Sequence, residues 1–187
     1  MPRQGSTVWF TGLPCSGKTT IASLVRDELV RRGLPVELLD GDEIRTHFSA
    51  GVGFSKEDRS LHLQRVAYLC HLLTKHGVTV LASFVSPYRE NREYARRLIG
   101  SEHFVEVFVD CPLDVCIRRD VKGMYKKALA GQIRQFTGVS DPYETPLAAE
   151  LALRTHEESA ERSAAKLLTY LEQRHFILKN ARAQPDV

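Results

Sequence analysis

Apolar residues along the chain fall into short, nearly continuous runs separated by longer stretches in which they return with a helical period. Short runs rich in β-branched and aromatic residues suit strands buried on both faces, and the longer stretches suit amphipathic helices. Their alternation predicts an α/β fold, a mostly parallel sheet with helices on both faces in three layers. The spacing predicts strands at 6–11, 36–39, 78–85 and 104–109, with a short one at 151–153. Helices are predicted at 18–32, 56–76, 88–100 and 157–174. In the first helix Ile21, Leu24, Val25 and Leu29 share a face; in the second Val66, Leu69, Cys70 and Leu73 do; in the last Ala160, Ala164, Leu167, Leu168 and Leu171 do.

One stretch breaks the pattern. Between 118 and 137, Arg118, Arg119, Lys122, Lys126, Lys127 and Arg134 crowd around Gly123 and Gly131, which predicts a mobile basic flap or lid. No repeat or linker divides the 187 residues, and 43% apolar content is ample for one core, so a single domain spanning 1–187 is expected. Net charge is only +3, from 26 basic and 23 acidic residues, so positive field must come from local clustering. That balance suits an anionic small molecule better than nucleic acid. The absence of an 18-residue apolar run or an N-terminal hydrophobic stretch argues against a membrane and leads to a cytoplasmic expectation. Cys15, Cys70, Cys111 and Cys116 lack paired spacing, and are expected as reduced thiols, three of them in the core.

The chemistry begins at Gly12-Leu13-Pro14-Cys15-Ser16-Gly17-Lys18-Thr19, followed by Thr20. This is G-x-x-x-x-G-K-[ST] placed between an apolar strand and an amphipathic helix, the context a phosphate-binding P-loop requires. Glycines let backbone N–H groups converge on a phosphate, and the helix N-terminus adds partial positive charge. Lys18 is expected to reach the β- and γ-phosphates of ATP, and the Thr19 hydroxyl to ligate Mg²⁺. Cys15, with no evident thiolate-stabilising partner, reads as an inert loop residue.

The second strand runs into Asp40-Gly41-Asp42, read as an acidic turn at the carboxyl end of the sheet where such folds bind ligands. Asp40 is assigned to the metal's water shell and Asp42 to the hydroxyl that receives the phosphoryl group. Asp110 ends a similar strand and is expected to cap the turn and helix after it. Arg45, Arg59 and Arg65 can hold an anion, and Arg59, His62 and Arg65 share a loose helical face. Phe54 and Phe136 stand as apolar rings in loops, where a stacked base and core packing both explain them.

Taken together and in order, Gly12 to Thr19, Leu39-Asp40-Gly41-Asp42 with Arg45, Gly53-Phe54-Ser55 with Asp58-Arg59, Phe84-Val85-Ser86-Pro87-Tyr88-Arg89, Lys122-Gly123-Met124-Tyr125-Lys126-Lys127-Ala128 and Phe136-Thr137-Gly138 resemble adenylylsulfate kinases over nearly the whole chain. The resemblance implies transfer of the γ-phosphoryl group of MgATP to the 3′-hydroxyl of adenosine 5′-phosphosulfate. It implies Asp42, Arg45, Phe54, Arg59, Val85, Lys122 and Phe136 around the acceptor, with the two phenylalanines sandwiching its adenine. Ser86 joins them as a pocket and helix-cap residue rather than a phosphorylated intermediate. Arg119 is placed near the ATP adenine, and Lys122 to Lys127 in a closing flap with Lys122 and Lys127 stabilising transferred charge. A homodimer, and functional association with an ATP sulfurylase, are implied in the same way.

The chain departs from the family pattern after Asp58-Arg59. An asparagine followed by two consecutive arginines is usual there, and His62, Gln64 and Arg65 stand instead. The asparagine position touches the acceptor in the family. His62 can replace an amide, since each ring nitrogen can donate or accept one hydrogen bond, and if partly protonated it would favour an anion and make binding pH-dependent; a solvated helix histidine is the alternative. Two other functions remain open at this point. One is phosphoryl transfer to another small nucleotide-like acceptor. The other is a nucleotide-dependent switch, against which stand the lack of an N-K-x-D motif and the presence of Lys18, Thr19, Asp40 and Asp42.

Overall fold

The computed structural model describes residues 5–177. The first four N-terminal residues, read above for a targeting signal, lie outside the described residues. Five parallel strands, β1 (Ser6–Thr11), β2 (Val36–Asp40), β3 (Thr79–Ser83), β4 (Phe104–Asp110) and β5 (Leu151–Arg154), lie in the order β2-β3-β1-β4-β5. Val8 at the centre of β1 sits opposite Leu81 on one side and Val105 on the other.

Successive strand residues point to opposite faces, so each face needs its own cover. Val8, Phe10, Val105 and Val107 pack under α1 (Lys18–Arg31) and α7 (Ala160–Gln173), through Ile21, Leu29, Leu167 and Leu171. Trp9, Val80, Ala82 and Phe104 pack under α3 (Lys56–Lys75) and α4 (Arg89–Ile99), through Val66, Cys70, Ala95 and Ile99. These are the three layers predicted from the hydrophobic pattern. Among the described residues no helix is long and apolar enough to cross a membrane. All four cysteines are free; Cys70, Cys111 and Cys116 are buried, and burial pushes the Cys116 thiol up to about 12.

Three local readings require correction. Asp40-Gly41-Asp42 is the start of helix α2 (Gly41–Phe48) rather than a turn: the Asp40 side chain accepts the Asp42 N–H at 2.9 Å, and Asp42 and Glu43 place negative charge in the first turn. Asp110 does not cap the next helix. α5 (Leu113–Arg119) has Pro112 at its N-cap position, whose side chain offers no acceptor and whose carbonyl takes the Val115 N–H at 3.0 Å. Ser86 does not cap α4 either, since Tyr88 occupies that position.

The basic stretch is more ordered than a flap of free loop. It contains α6 (Met124–Leu129), whose first-turn N–H groups from Tyr125 and Lys126 are taken by the Asp120 carboxylate at 2.9 and 3.0 Å. Tyr125 is fully buried, meets Phe136 edge to face at 5.0 Å, and donates its hydroxyl to the Pro14 carbonyl at 3.1 Å. The stretch is therefore moored to the P-loop through Tyr125, and again where Arg119 donates to the Ser16 carbonyl at 3.4 Å, with its lysines left exposed around it.

Candidate active site

The carboxyl ends of all five strands open on one side of the sheet, and a cavity of about 1170 Å³ lies there. The P-loop forms one wall. Gly12 has φ +150° and passes so close to β4 that a Cβ would meet the Val109 carbonyl at 2.5 Å; only glycine fits. Gly17 is left-handed and heads α1, which has no side-chain cap, so its leading N–H groups point at the cavity. Cys15 also adopts a left-handed conformation, φ 60°, a strain that sequence pattern does not disclose.

Lys18 is 8% exposed and donates from Nζ to the carbonyls of Gly12 and Leu13 at 2.9 and 2.7 Å. Burial lowers its pKa to about 8, with the nearby thiols of Cys116 and Cys15 and the carboxylates of Asp40 and Asp42 opposing the shift. Thr19 donates its hydroxyl to Asp40 Oδ2 at 2.8 Å and lies 3.1 Å from the Ser83 hydroxyl. A hydroxyl and a carboxylate set side by side at the P-loop mouth are hard oxygen donors, a fit for Mg²⁺ shared with phosphate oxygens.

At the opposite end stand Arg45, Phe54, Arg59 and His62. The Arg45 guanidinium lies over the Phe54 ring, 4.4 Å from its centroid, and donates to the Val52 and Gly53 carbonyls at 3.2 and 2.9 Å. Arg59 donates to the carbonyl of Phe54 at 2.9 Å and also to that of Gln135, which ties α3 to the basic stretch. Desolvation lowers the pKa of both arginines, a sign that each gives up water at this end of the cavity. Arg65 turns to the Phe48 carbonyl and is not among the cavity residues. Asp42 faces the cavity between the two ends and pairs with the Lys122 ammonium, which holds the lysine pKa up.

The far wall is preset. Ser86 is left-handed, φ 37°, and its hydroxyl accepts the indole N–H of Trp9 at 3.0 Å while its carbonyl accepts from Arg92 at 2.6 Å. Arg92 is itself buried against Glu106 at 2.7 Å and also reaches the Glu144 carbonyl at 2.7 Å. Tyr143 from the same connection meets the Thr11 hydroxyl at 2.9 Å. These bonds leave the Ser86 hydroxyl engaged with an indole donor rather than poised as a nucleophile.

The cavity gathers Pro14, Cys15, Gly17, Lys18, Thr19, Thr20, Asp40, Asp42, Arg45, Phe54, Arg59, His62, Val85, Ser86, Arg119, Lys122 and Phe136. Gly12 and Ser16 lie behind this surface, Leu13 lines a separate shallow pocket with Leu113, and Lys127 is exposed on α6 away from the cavity. Sequence reasoning passed over Ser83 and Thr155. Thr155 donates to the Ser16 carbonyl at 2.7 Å and accepts from Arg119 at 3.2 Å, bracing the P-loop from the end of β5. Ser83 ends β3 and Thr155 follows β5, and a place at the carboxyl end of a strand is the one signal that could have found them.

His62 is 4% exposed, with Nδ1 2.7 Å from the Ser49 hydroxyl and its ring tilted on Phe84 at 5.7 Å. The solvated-histidine alternative is thereby excluded. Burial, then the charges of Arg45 on α2 and Arg65 on α3, lowers its pKa to about 4, so at neutral pH it offers no positive charge to an anion. The unfolded histidine takes up its proton near pH 6.5 and the folded one only near 4, so stability is whole above 6.5 and falls as pH drops through that window. We expect His62→Asn to remove an acid-side loss on the order of 3 kcal/mol, read as the difference between the two proteins' denaturant midpoints from pH 7 to 4. Parallel curves would show that His62 titrates normally.

A sequence model of the family described as adenylylsulphate kinase matches residues 4–154. The chain is 50% identical over 177 residues to an adenylyl-sulfate kinase of a Synechococcus strain, covering 95% of this chain and 100% of the relative. Among solved structures, it resembles the APS kinase of Mycobacterium tuberculosis in complex with AMPPNP and APS, with TM-score 0.88 and 41% identity over 91% of this chain and 99% of that one. A hexameric APS kinase from Thiobacillus denitrificans matches with TM-score 0.72 and 29% identity, over 96% of this chain but only 31% of that longer one.

Proposed function

The chain belongs to the adenylylsulphate kinase family, and from that premise we propose that its cavity transfers the γ-phosphoryl group of ATP to the 3′-hydroxyl of adenosine 5′-phosphosulfate. The observation that carries the reading is that one cavity joins the P-loop to the Asp42, Arg45, Phe54, Arg59 set. Backbone N–H groups and Lys18 cradle the ATP phosphates. Asp42 accepts the proton of the acceptor hydroxyl, while Lys122, already in contact with Asp42, places positive charge where the phosphoryl group crosses. Thr19 and Asp40 would hold Mg²⁺, which would neutralise charge on the phosphates.

Phe54 and Phe136 line the acceptor end and stack its adenine, worth about 1–3 kcal/mol per base. Arg45 and Arg59 hold the anionic portion. Arg119, beside Thr155 and the Ser16 carbonyl, borders the ATP base. The basic stretch of about 118–138 serves as the lid of a single kinase domain, with Lys127 brought in only as that lid closes. The wider reading is a cytoplasmic homodimer in sulfate assimilation, functionally associated with an ATP sulfurylase, and its support is the family alone.

Purified protein with MgATP and adenosine 5′-phosphosulfate should yield the 3′-phosphorylated product, with adenosine 5′-monophosphate and cytidine nucleotides as parallel acceptors. Phosphorylation of the phosphosulfate no faster than of the simple nucleotides would overturn the acceptor assignment and keep the kinase.

A further inference from the structure

Resting on that reaction, a second residue emerges from the turn between α2 and α3. Ser49 follows α2, is 1% exposed, and its hydroxyl makes one hydrogen bond among the described residues, to His62 Nδ1 at 2.7 Å. His62 lines the cavity, and its Nε2 has no partner among the described residues. The two residues therefore form a short chain running from the buried end of α2 to the acceptor end of the cavity.

The direction of that chain follows from counting donors. A serine hydroxyl has one proton, and a buried O–H left without an acceptor costs about 1–3 kcal/mol, whereas an unused lone pair costs less. Were Nδ1 protonated and donating to Ser49, the serine proton would have no acceptor within reach. With Ser49 donating to Nδ1, every buried proton is used and the ring's own hydrogen sits on Nε2, facing the cavity. We propose that Ser49 is a positioning residue that fixes the Nε2–H tautomer of His62, so that the neutral imidazole presents a donor to a lone pair of the acceptor nucleotide.

The same contact ties the end of α2 to α3. The Ser49 N–H bonds to the Arg45 carbonyl at 3.2 Å, the Val52 N–H bonds to the Ser49 carbonyl at 3.0 Å, and the Val52 and Gly53 carbonyls in turn hold the Arg45 guanidinium. Losing the serine hydroxyl thus frees the His62 ring and removes the side-chain tie between the end of α2, beside Arg45, and α3, while the backbone bonds of the turn remain. Both effects act on the acceptor and neither touches the P-loop.

Two measurements decide the matter. In ¹⁵N-histidine-labelled wild-type protein, long-range ¹H–¹⁵N couplings should show His62 neutral and protonated at Nε2; protonation at Nδ1 overturns the proposal whatever the variants do. In steady-state kinetics Ser49→Ala should raise KM for adenosine 5′-phosphosulfate about tenfold with KM for ATP unchanged. Unchanged kinetics, or KM rising equally for both substrates, would assign Ser49 a purely structural role. Wild-type turnover on the phosphosulfate judges the reaction itself, and the tautomer is read without any turnover, so the two failures are separable.

Discussion

Asp42→Asn should lower turnover by about 10²–10⁴-fold while leaving ATP affinity within a few-fold of wild type, measured by product formation and by nucleotide titration. Asparagine keeps the shape and the first-turn position on α2 but cannot take a proton. Asp42 lies at the cavity, its side chain 76% exposed, and among the described residues its side chain pairs with Lys122 and makes no hydrogen bond or ion pair with the P-loop. ATP binding rests on the loop, Lys18 and the start of α1, none of which the change disturbs. The phosphosulfate should bind with little loss as well, because Arg45, Arg59 and Phe54 stay in place. A parallel fall in ATP affinity and turnover would move Asp42 from the acceptor hydroxyl to the metal or the phosphates. Asp42→Ala adds a control, since it also releases Lys122; a loss much larger than that of the asparagine variant would assign part of the effect to the lysine.

The layered sheet and the P-loop were legible because their signals are local. β1 and β4 carry short apolar runs, and the loop is one contiguous motif from Gly12 to Thr19, although the contact that requires Gly12, with the Val109 carbonyl, is long-range. α2 was missed because Asp40-Gly41-Asp42 satisfies turn chemistry and N-cap chemistry equally well; what decides for the helix is the Asp40 to Asp42 N–H bond, together with packing of Ile44 against the α3 side of the sheet. The basic stretch was read from its charges, whereas Tyr125 and Asp120 set its structure, and a lone tyrosine among lysines gives no periodic signal. His62 shows the same limit. A histidine at one turn of an amphipathic helix has no readable environment until Ser49, 13 residues earlier, and Phe84, on another layer, are seen against it. Long-range partners, not residue type, set its protonation.

Lys18→Met carries the other large effect, and here binding and turnover should fall together. The ammonium is held by carbonyls of the same loop that wraps the phosphates, so its removal takes away charge from ground state and transition state alike. A charge-assisted contact of this kind is worth several kcal/mol, so ATP affinity should fall by at least tenfold and turnover by about a thousandfold. Unfolding will not explain it. The folded amine ionises near 8 and the unfolded one near 10.5, so stability falls as pH drops between those values, and at neutral pH the buried charge costs about 3 kcal/mol. Methionine removes that cost but leaves the Gly12 and Leu13 carbonyls without their donor, about 1–3 kcal/mol each, and the two terms nearly offset. The expected variant is therefore folded, close to wild type in thermal midpoint at pH 7, weak for ATP and almost inactive. Near-normal turnover in a folded Lys18→Met protein would remove the P-loop from the chemistry, and with it the kinase reading of the cavity.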